Sequence, residues 1–262
     1  MDLGLKDKCA LVMASSAGLG KAIATEFARE GANVMLFSPF EEELKQAQKD
    51  ILAETGKEPS YFCGSITNAE DIKKLVEITV AKYGAIFALV NNTGGPPAGT
   101  FDTFDDAAWQ NAYELTLLSY IRTIREVLPH MRANGGGRIL NSTSSSIKAV
   151  LDNLILSNTF RMGVVGLAKT LSQELGKDNI LVNVIAPGRI GTARIDYLDK
   201  VRADKAGKTV EEIQKAAFAG IPLGRYGTPQ EYGKLAAFLC SAANTFITGQ
   251  SVLVDGGMVK AI

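Results

Sequence analysis

Histidine is almost missing from this chain: His130 is the only one in 262 residues. It follows Pro129 near the end of a long helical pattern, where a surface or helix-end role is expected. No cluster of histidine, cysteine and carboxylate residues has metal-ligand spacing, so no metal is expected. Cysteine is scarce too. The three, Cys9, Cys63 and Cys240, are odd in number and far apart, and none forms a CxxC pair. That excludes a disulfide framework and a zinc ribbon, and leaves buried free thiols as the expectation. There is no excess of charge, with 28 basic and 28 acidic residues. Nucleic acid and anionic membrane surfaces call for a concentrated positive field, so neither is an expected partner. Long hydrophobic runs are absent as well. Nothing approaches the ~20 apolar residues of a membrane span. The first apolar run is too short and too charged in its flanks for a signal peptide. A reducing cytoplasm is the expected setting.

What is present is an ordinary globular balance, 46% hydrophobic and 21% charged, enough to bury a core. Short apolar runs alternate with amphipathic stretches from end to end. The runs at 9–14, 33–37, 61–64, 86–91, 137–142, 181–185 and 251–254 predict strands. Several are continuously apolar, the pattern of strands buried on both faces. Helical patterns lie near 18–30, 41–55, 68–83, 105–133, 152–175 and 229–241. This alternation implies right-handed βαβ crossovers and an α/β doubly wound parallel sheet. No linker or low-complexity segment interrupts it, so residues 1–262 are expected to form one domain. The exception is an insertion at about 188–226 with two short helices. Its place beyond a strand's C-terminal end suits a lid over a site. Within it, Thr209-Val210-Glu211-Glu212 predicts a capping box at the second helix.

The first strand runs into Ala14-Ser15-Ser16-Ala17-Gly18-Leu19-Gly20, and a helix follows at once. Small residues in such a turn let the backbone approach a pyrophosphate, and the helix N-terminus aims unpaired N–H groups at it. Gly18 and Gly20 permit close approach and tight helix–strand packing. A plain glycine-rich βα turn is the alternative, and the glycine pair alone does not decide between them. Further segments extend the pattern. These are Asn91-Asn92-Thr93-Gly94, the run GRILNSTS at 137–144, and Asn183-Val184-Ile185-Ala186-Pro187-Gly188-Arg189-Ile190-Gly191-Thr192. Near the C-terminus come Ile221-Pro222-Leu223-Gly224-Arg225, Ile247-Thr248-Gly249-Gln250 and Val254-Asp255-Gly256-Gly257.

In these ordered segments the whole chain resembles the short-chain dehydrogenase/reductases, a superfamily of NAD(P)-dependent enzymes. The resemblance implies a seven-stranded parallel sheet of Rossmann type. It departs from the family's TGxxxGxG loop at Ala14, which stands where the first glycine is usual. It implies that Ser15, Ser16, Gly18, Leu19 and Gly20 line the phosphates and ribose. Asn92 and Gly94 would lie along the ribose. Pro187, Gly188, Ile190 and Thr192 would frame the nicotinamide amide and a nearby phosphate. NAD users of the family often carry an acidic residue at the end of the second strand, where this chain has Ser38-Pro39. Without that carboxylate, Ser15, Ser16 and Ser38 can donate hydrogen bonds to a 2′-phosphate. NADP is therefore the expected cofactor, with NAD as the alternative. No arginine stands nearby to strengthen the contact. Ser65, beside Ile66, replaces the aspartate usual near the adenine.

The resemblance also implies an Asn, a Ser, and a Tyr and Lys spaced as YxxxK. The serine is Ser144. Thirteen residues on, the motif reads Ser157-Asn158-Thr159-Phe160-Arg161, so YxxxK has become SxxxR. The Asn position holds Thr116. A phenol has a pKa near 10 and neighbouring cations lower it further. An alkyl hydroxyl is a far weaker acid. Arg161 sits one helical turn from Ser157 on the same face. It stays cationic, able to bond the nicotinamide ribose, but it is a poor proton relay. Two readings follow. In one, Ser144, Ser157 and Arg161 act on a carbonyl or alcohol of a small-molecule substrate, Arg161 stabilising alkoxide charge. The proton then comes from water or from Lys148, Tyr197 or Arg194. In the other, the chain binds a dinucleotide without hydride chemistry, as a sensor or oligomer partner. By analogy with the family a homotetramer is expected, with a homodimer as the alternative.

Overall fold

Every apolar run identified above becomes a strand of one sheet. The structure, a computed structural model, describes residues 1–261. Its strands are β1 (Cys9–Met13), β2 (Asn33–Ser38), β3 (Ser60–Cys63), β4 (Ala88–Asn91), β5 (Gly137–Ser142), β6 (Ile180–Pro187) and β7 (Ser251–Val254). They lie in the order β3-β2-β1-β4-β5-β6-β7 and every pairing is parallel. The order reverses direction between β1 and β4. A crevice opens there at the strands' C-terminal ends, the usual ligand position of a doubly wound sheet. The fold is therefore the seven-stranded Rossmann-type sheet in a single domain that the sequence implies.

The helices are α1 (Gly18–Arg29), α2 (Glu41–Thr55), α3 (Ala69–Tyr83), α4 (Asp106–Tyr113), α5 (Ser119–Ala133), α6 (Ile155–Glu174), α7 (Ala193–Ala206), α8 (Val210–Ala219) and α9 (Pro229–Leu239). They cover both faces of the sheet. One core packs Ile23, Phe27, Leu44 and Tyr232 against alternate side chains of β1, β2 and β4. The other packs Leu75, Ile124, Val127 and Ala168 against the opposite side chains. The continuous apolarity of the strands is thus the signature of two buried faces.

Local signals set the helix ends. Asn68 caps α3 by accepting from the amides of Glu70 and Asp71, and Gly56 ends α2 in the left-handed conformation. The capping box expected at Thr209 forms: its hydroxyl accepts from Glu212 N at 3.2 Å, and Glu212 accepts from Thr209 N at 2.9 Å. One expectation is corrected. The single helix read at 105–133 is broken by a π-helical segment, Glu114–Leu118. Three hydroxyls turn back onto the helix backbone in this stretch. Thr116 donates to Ala112 O, Ser119 to Leu115 O and Thr123 to Ser119 O. Such back-bonding competes with the regular ladder, and π segments recur at functional sites.

Candidate active site

The turn after β1 fits a pyrophosphate for reasons visible in its backbone. Ala17, which caps α1, offers no side-chain hydrogen bond, and the first turn of α1 carries no acidic residue. Its leading N–H groups therefore stay free for an anion. Gly18 has φ +57°, and a Cβ there would meet nothing within 4 Å, so its face is open to a ligand. Gly20 is required for a different reason: a Cβ would lie 2.2 Å from Ala14 O. Ala14 itself takes φ +46°, a left-handed conformation that its methyl disfavours.

Several expected cofactor residues use their side chains within the protein. Ser15 is fully buried; its Oγ donates to Val12 O at 2.8 Å and accepts from Phe37 N at 3.0 Å. It pins β1 to β2, so its hydroxyl does not serve a 2′-phosphate. Asn92 donates to Ala14 O at 3.2 Å and thereby clamps the turn. Ser65 shares a hydrogen bond with Thr67 at 2.9 Å, and Ile66 is packed into the second core. Ser16 and Ser38 do come together, with their hydroxyls 3.0 Å apart. Ser16 also donates to Glu43 at 2.9 Å. Glu43 lies in the first turn of α2 beside Glu41 and Glu42. Ser38-Pro39 at the end of β2 gives no hint of this carboxylate. The signal was the acidic run opening the next helix.

At the other end of the crevice, β5 delivers Ser144, whose Oγ accepts from Ser146 N at 3.2 Å. Ser157 and Arg161 meet across one turn of α6: Arg161 Nε donates to Ser157 Oγ at 3.2 Å. Arg161 Nη1 donates to Ser142 O at 3.3 Å. Arg161 is only 5% exposed and takes part in no ion pair among the described residues. A buried cation without a carboxylate is costly unless something else at the site compensates it. Thr116 is fully buried with its hydroxyl held by Ala112 O, so it offers the crevice nothing in place of an Asn side chain.

Two tyrosines not singled out from the sequence complete the network. Tyr120 donates to the same Ser142 carbonyl at 2.7 Å. Tyr232 shares a hydrogen bond with Ser142 Oγ at 2.9 Å and donates to Ile185 O at 3.2 Å. Both rings are fully buried. Burial pushes the Tyr120 phenol up to about 12 despite the opposing pull of Arg161. Burial also raises Tyr232. Both phenols therefore stay protonated at neutral pH, with their hydroxyls committed to Ser142 and Ile185. Tyr120 was detectable as the residue one helical turn after Thr116; Tyr232 carried no local signal.

The 187–192 segment closes the site from β6. A Cβ on Gly188 would lie 2.6 Å from Asp255 Cβ, so this glycine lets two loops touch. Ile190 is buried and bridges to Gly227, while Thr192 caps α7 without a side-chain bond, leaving its hydroxyl free. The lid helix α7 is anchored by Asp199, which is wholly buried. Its carboxylate accepts from Tyr226 at 2.7 Å, Arg202 at 3.3 Å and Arg189 at 3.4 Å. Lys148 and Tyr197 are exposed. Arg194 reaches back to Gly95, whose Cβ position lies 3.1 Å from its Nη2.

A family model described as enoyl-(acyl carrier protein) reductase matches residues 13–259. The chain is a short-chain dehydrogenase/reductase. This makes it an oxidoreductase of the NAD(P)-dependent type. It is 32% identical over 257 residues to the 3-oxoacyl-[acyl-carrier-protein] reductase of Thermotoga maritima, covering 97% of this chain and 99% of that protein. L-sorbose reductase from Gluconobacter frateurii, solved with NADPH and L-sorbose, superposes with TM-score 0.95 at 31% identity over 100% of both chains. A 7α-hydroxysteroid dehydrogenase solved with NADH and 7-oxo glycochenodeoxycholic acid superposes with TM-score 0.89 at 32% identity, covering 99% of this chain and 97% of that one.

Proposed function

We propose that this short-chain dehydrogenase/reductase interconverts a carbonyl and an alcohol on a small-molecule substrate, with Ser144, Ser157 and Arg161 as its catalytic residues. The observation that carries this is the buried Ser157–Arg161 pair beside the end of β5. The free N–H groups of α1 and the open face of Gly18 suit a dinucleotide, with Ser16, Leu19, Gly20, Gly94, Pro187, Gly188, Ile190 and Thr192 around it. When bound, the dinucleotide supplies or accepts the hydride. Ser144 and Ser157 donate hydrogen bonds that orient the substrate oxygen. Arg161 holds Ser157 in place and stabilises negative charge developing on that oxygen. Its remaining N–H groups serve the ribose. The proton comes from water, since the Tyr120 and Tyr232 hydroxyls are already engaged with Ser142 and Ile185.

The proposed cofactor is NADP, as bound by L-sorbose reductase. One observation favours the second reading, NAD. The Glu43 carboxylate at Ser16 opposes a 2′-phosphate and suits a free 2′-hydroxyl. Purified protein should oxidise NADPH or NADH with some members of a panel of ketones and aldehydes. Tight cofactor binding with no turnover across that panel would instead identify a dinucleotide sensor or oligomer partner.

No helix among the described residues is long and apolar enough to cross a membrane, and a cytoplasmic setting is proposed. A homotetramer is proposed, assembled through the α4–α5 and α6 faces, with a homodimer as the alternative. Light scattering on the eluting peak of a sizing column decides between them.

A further inference from the structure

We infer that the substrate is an anion, a small oxo or hydroxy acid whose carboxylate is held by Arg194. This rests on the oxidoreductase reading above and names the substrate class of the same site. Arg194 stands in the first turn of α7, directly beyond β6, yet its Nη2 lies against Gly95, which follows β4. The sheet order places β5 between those two strands. Adjacent parallel strands are about 4.8 Å apart. An arm reaching from the β6 side to the β4 side therefore crosses above the C-terminal end of β5, the strand that delivers Ser144. A Cβ at Gly95 would lie 3.1 Å from Arg194 Nη2, so the glycine leaves room for the guanidinium beside it.

The lid's other arginines all have a carboxylate partner. Arg189 and Arg202 pair with Asp199, and Arg225 pairs with Glu231. Of the four arginines in 188–226, Arg194 alone lacks a carboxylate partner among the described residues. The nearby acidic residues Asp102, Asp152 and Asp196, the last in the first turn of α7 itself, are exposed and pair with no cation among the described residues. On the α6 side of the end of β5, Arg161 is buried and equally unpaired. Arg161 is thus built into the wall near Ser144, while the exposed Arg194 extends from α7 to the loop after β4. A guanidinium binds a carboxylate through two parallel hydrogen bonds, which fixes orientation as well as charge. With Arg194 on the carboxylate, the neighbouring carbonyl carbon is free to face Ser144 and Ser157.

An anion at Arg194 could also be a phosphate of the dinucleotide, and one experiment separates the two. The probes are 2-oxobutanoate and acetoacetate, each beside its methyl ester, with the protein saturated in reduced dinucleotide. The wild type should prefer each acid over its ester by at least about tenfold in kcat/KM. In Arg194→Ala that preference should fall to near one, chiefly through KM, while dinucleotide Kd changes by less than about twofold. Arg194→Lys should restore part of the preference. Equal use of acid and ester by the wild type overturns the proposal. So does a loss of dinucleotide affinity in Arg194→Ala that matches the loss in kcat/KM. If no carbonyl compound is turned over, the oxidoreductase reading fails on its own. Calorimetric titration of the dinucleotide complex then decides this proposal: acid binding abolished by Arg194→Ala supports it, and no acid binding to the wild type overturns it.

Discussion

Arg161 has one hydroxyl and one backbone carbonyl as its hydrogen-bonding partners, and no carboxylate. A charge so placed is unfavourable for folding and favourable for whatever anion or hydroxyl completes it. Replacing it with alanine should weaken dinucleotide binding about tenfold, measured by fluorescence titration, as expected for losing one charge-assisted bond. Unchanged affinity would remove the ribose contact assigned to it. Glu43 invites a complementary substitution. Glu43→Gln keeps an acceptor for the Ser16 hydroxyl but removes the negative charge. The ratio of NADPH to NADH affinity should rise about tenfold, an effect of the size expected for one partly exposed charge near a phosphate. No change in that ratio would mean that Glu43 lies outside the reach of the 2′ position.

Among the elements, α7 is held by a single buried carboxylate. Asp199→Ala would leave the Tyr226 hydroxyl without its acceptor and would free Arg189 and Arg202. The loss should destabilise the lid by about 2 kcal/mol, the scale of an uncompensated buried polar group. Limited proteolysis should then cut within α7–α8 faster than in the wild type. Substrate KM should rise while dinucleotide Kd stays nearly constant, because the turn after β1 lies in another part of the crevice. Much at this scale was legible in the sequence. Runs buried on two faces stand out without any partner being known, and β5 and β7 fall where the apolar runs at 137–142 and 251–254 put them. Ser157 and Arg161 were legible as a pair because helical spacing alone brings them together. The π break was not, since it depends on which hydroxyls turn back onto their own helix. The Tyr120–Ser142–Tyr232 network was not either. It joins α5, β5 and α9, so no spacing within one element announces it. Ser15 misled for the same reason: its hydroxyl answers to β2, not to the turn it belongs to.

For the molecule as a whole, the buried ionisable groups set an alkaline limit. Burial raises Cys9 and Cys240 from 9.0 to about 12, and Tyr120 from 10.0 to about 12. All three keep their protons in the folded chain at pH values where an unfolded chain has released them. Between about pH 9 and 12 the folded state therefore binds more protons, so stability falls as pH rises through that window. Below about pH 9 the contribution is complete and flat. The melting temperature should accordingly hold steady from neutral pH to about 9 and then decline continuously. Phenolate absorbance from Tyr120 and Tyr232 should appear together with unfolding and not before it, because both rings are closed to solvent. A second buried cation tempers the decline. Arg138, lowered by burial, faces Cys240 and opposes the rise of that thiol. Arg138→Leu should therefore leave the onset near pH 9 in place, since Cys9 and Tyr120 still set it. A wild-type melting temperature that stays level from pH 9 to 11 would show that these groups are reached by solvent without unfolding.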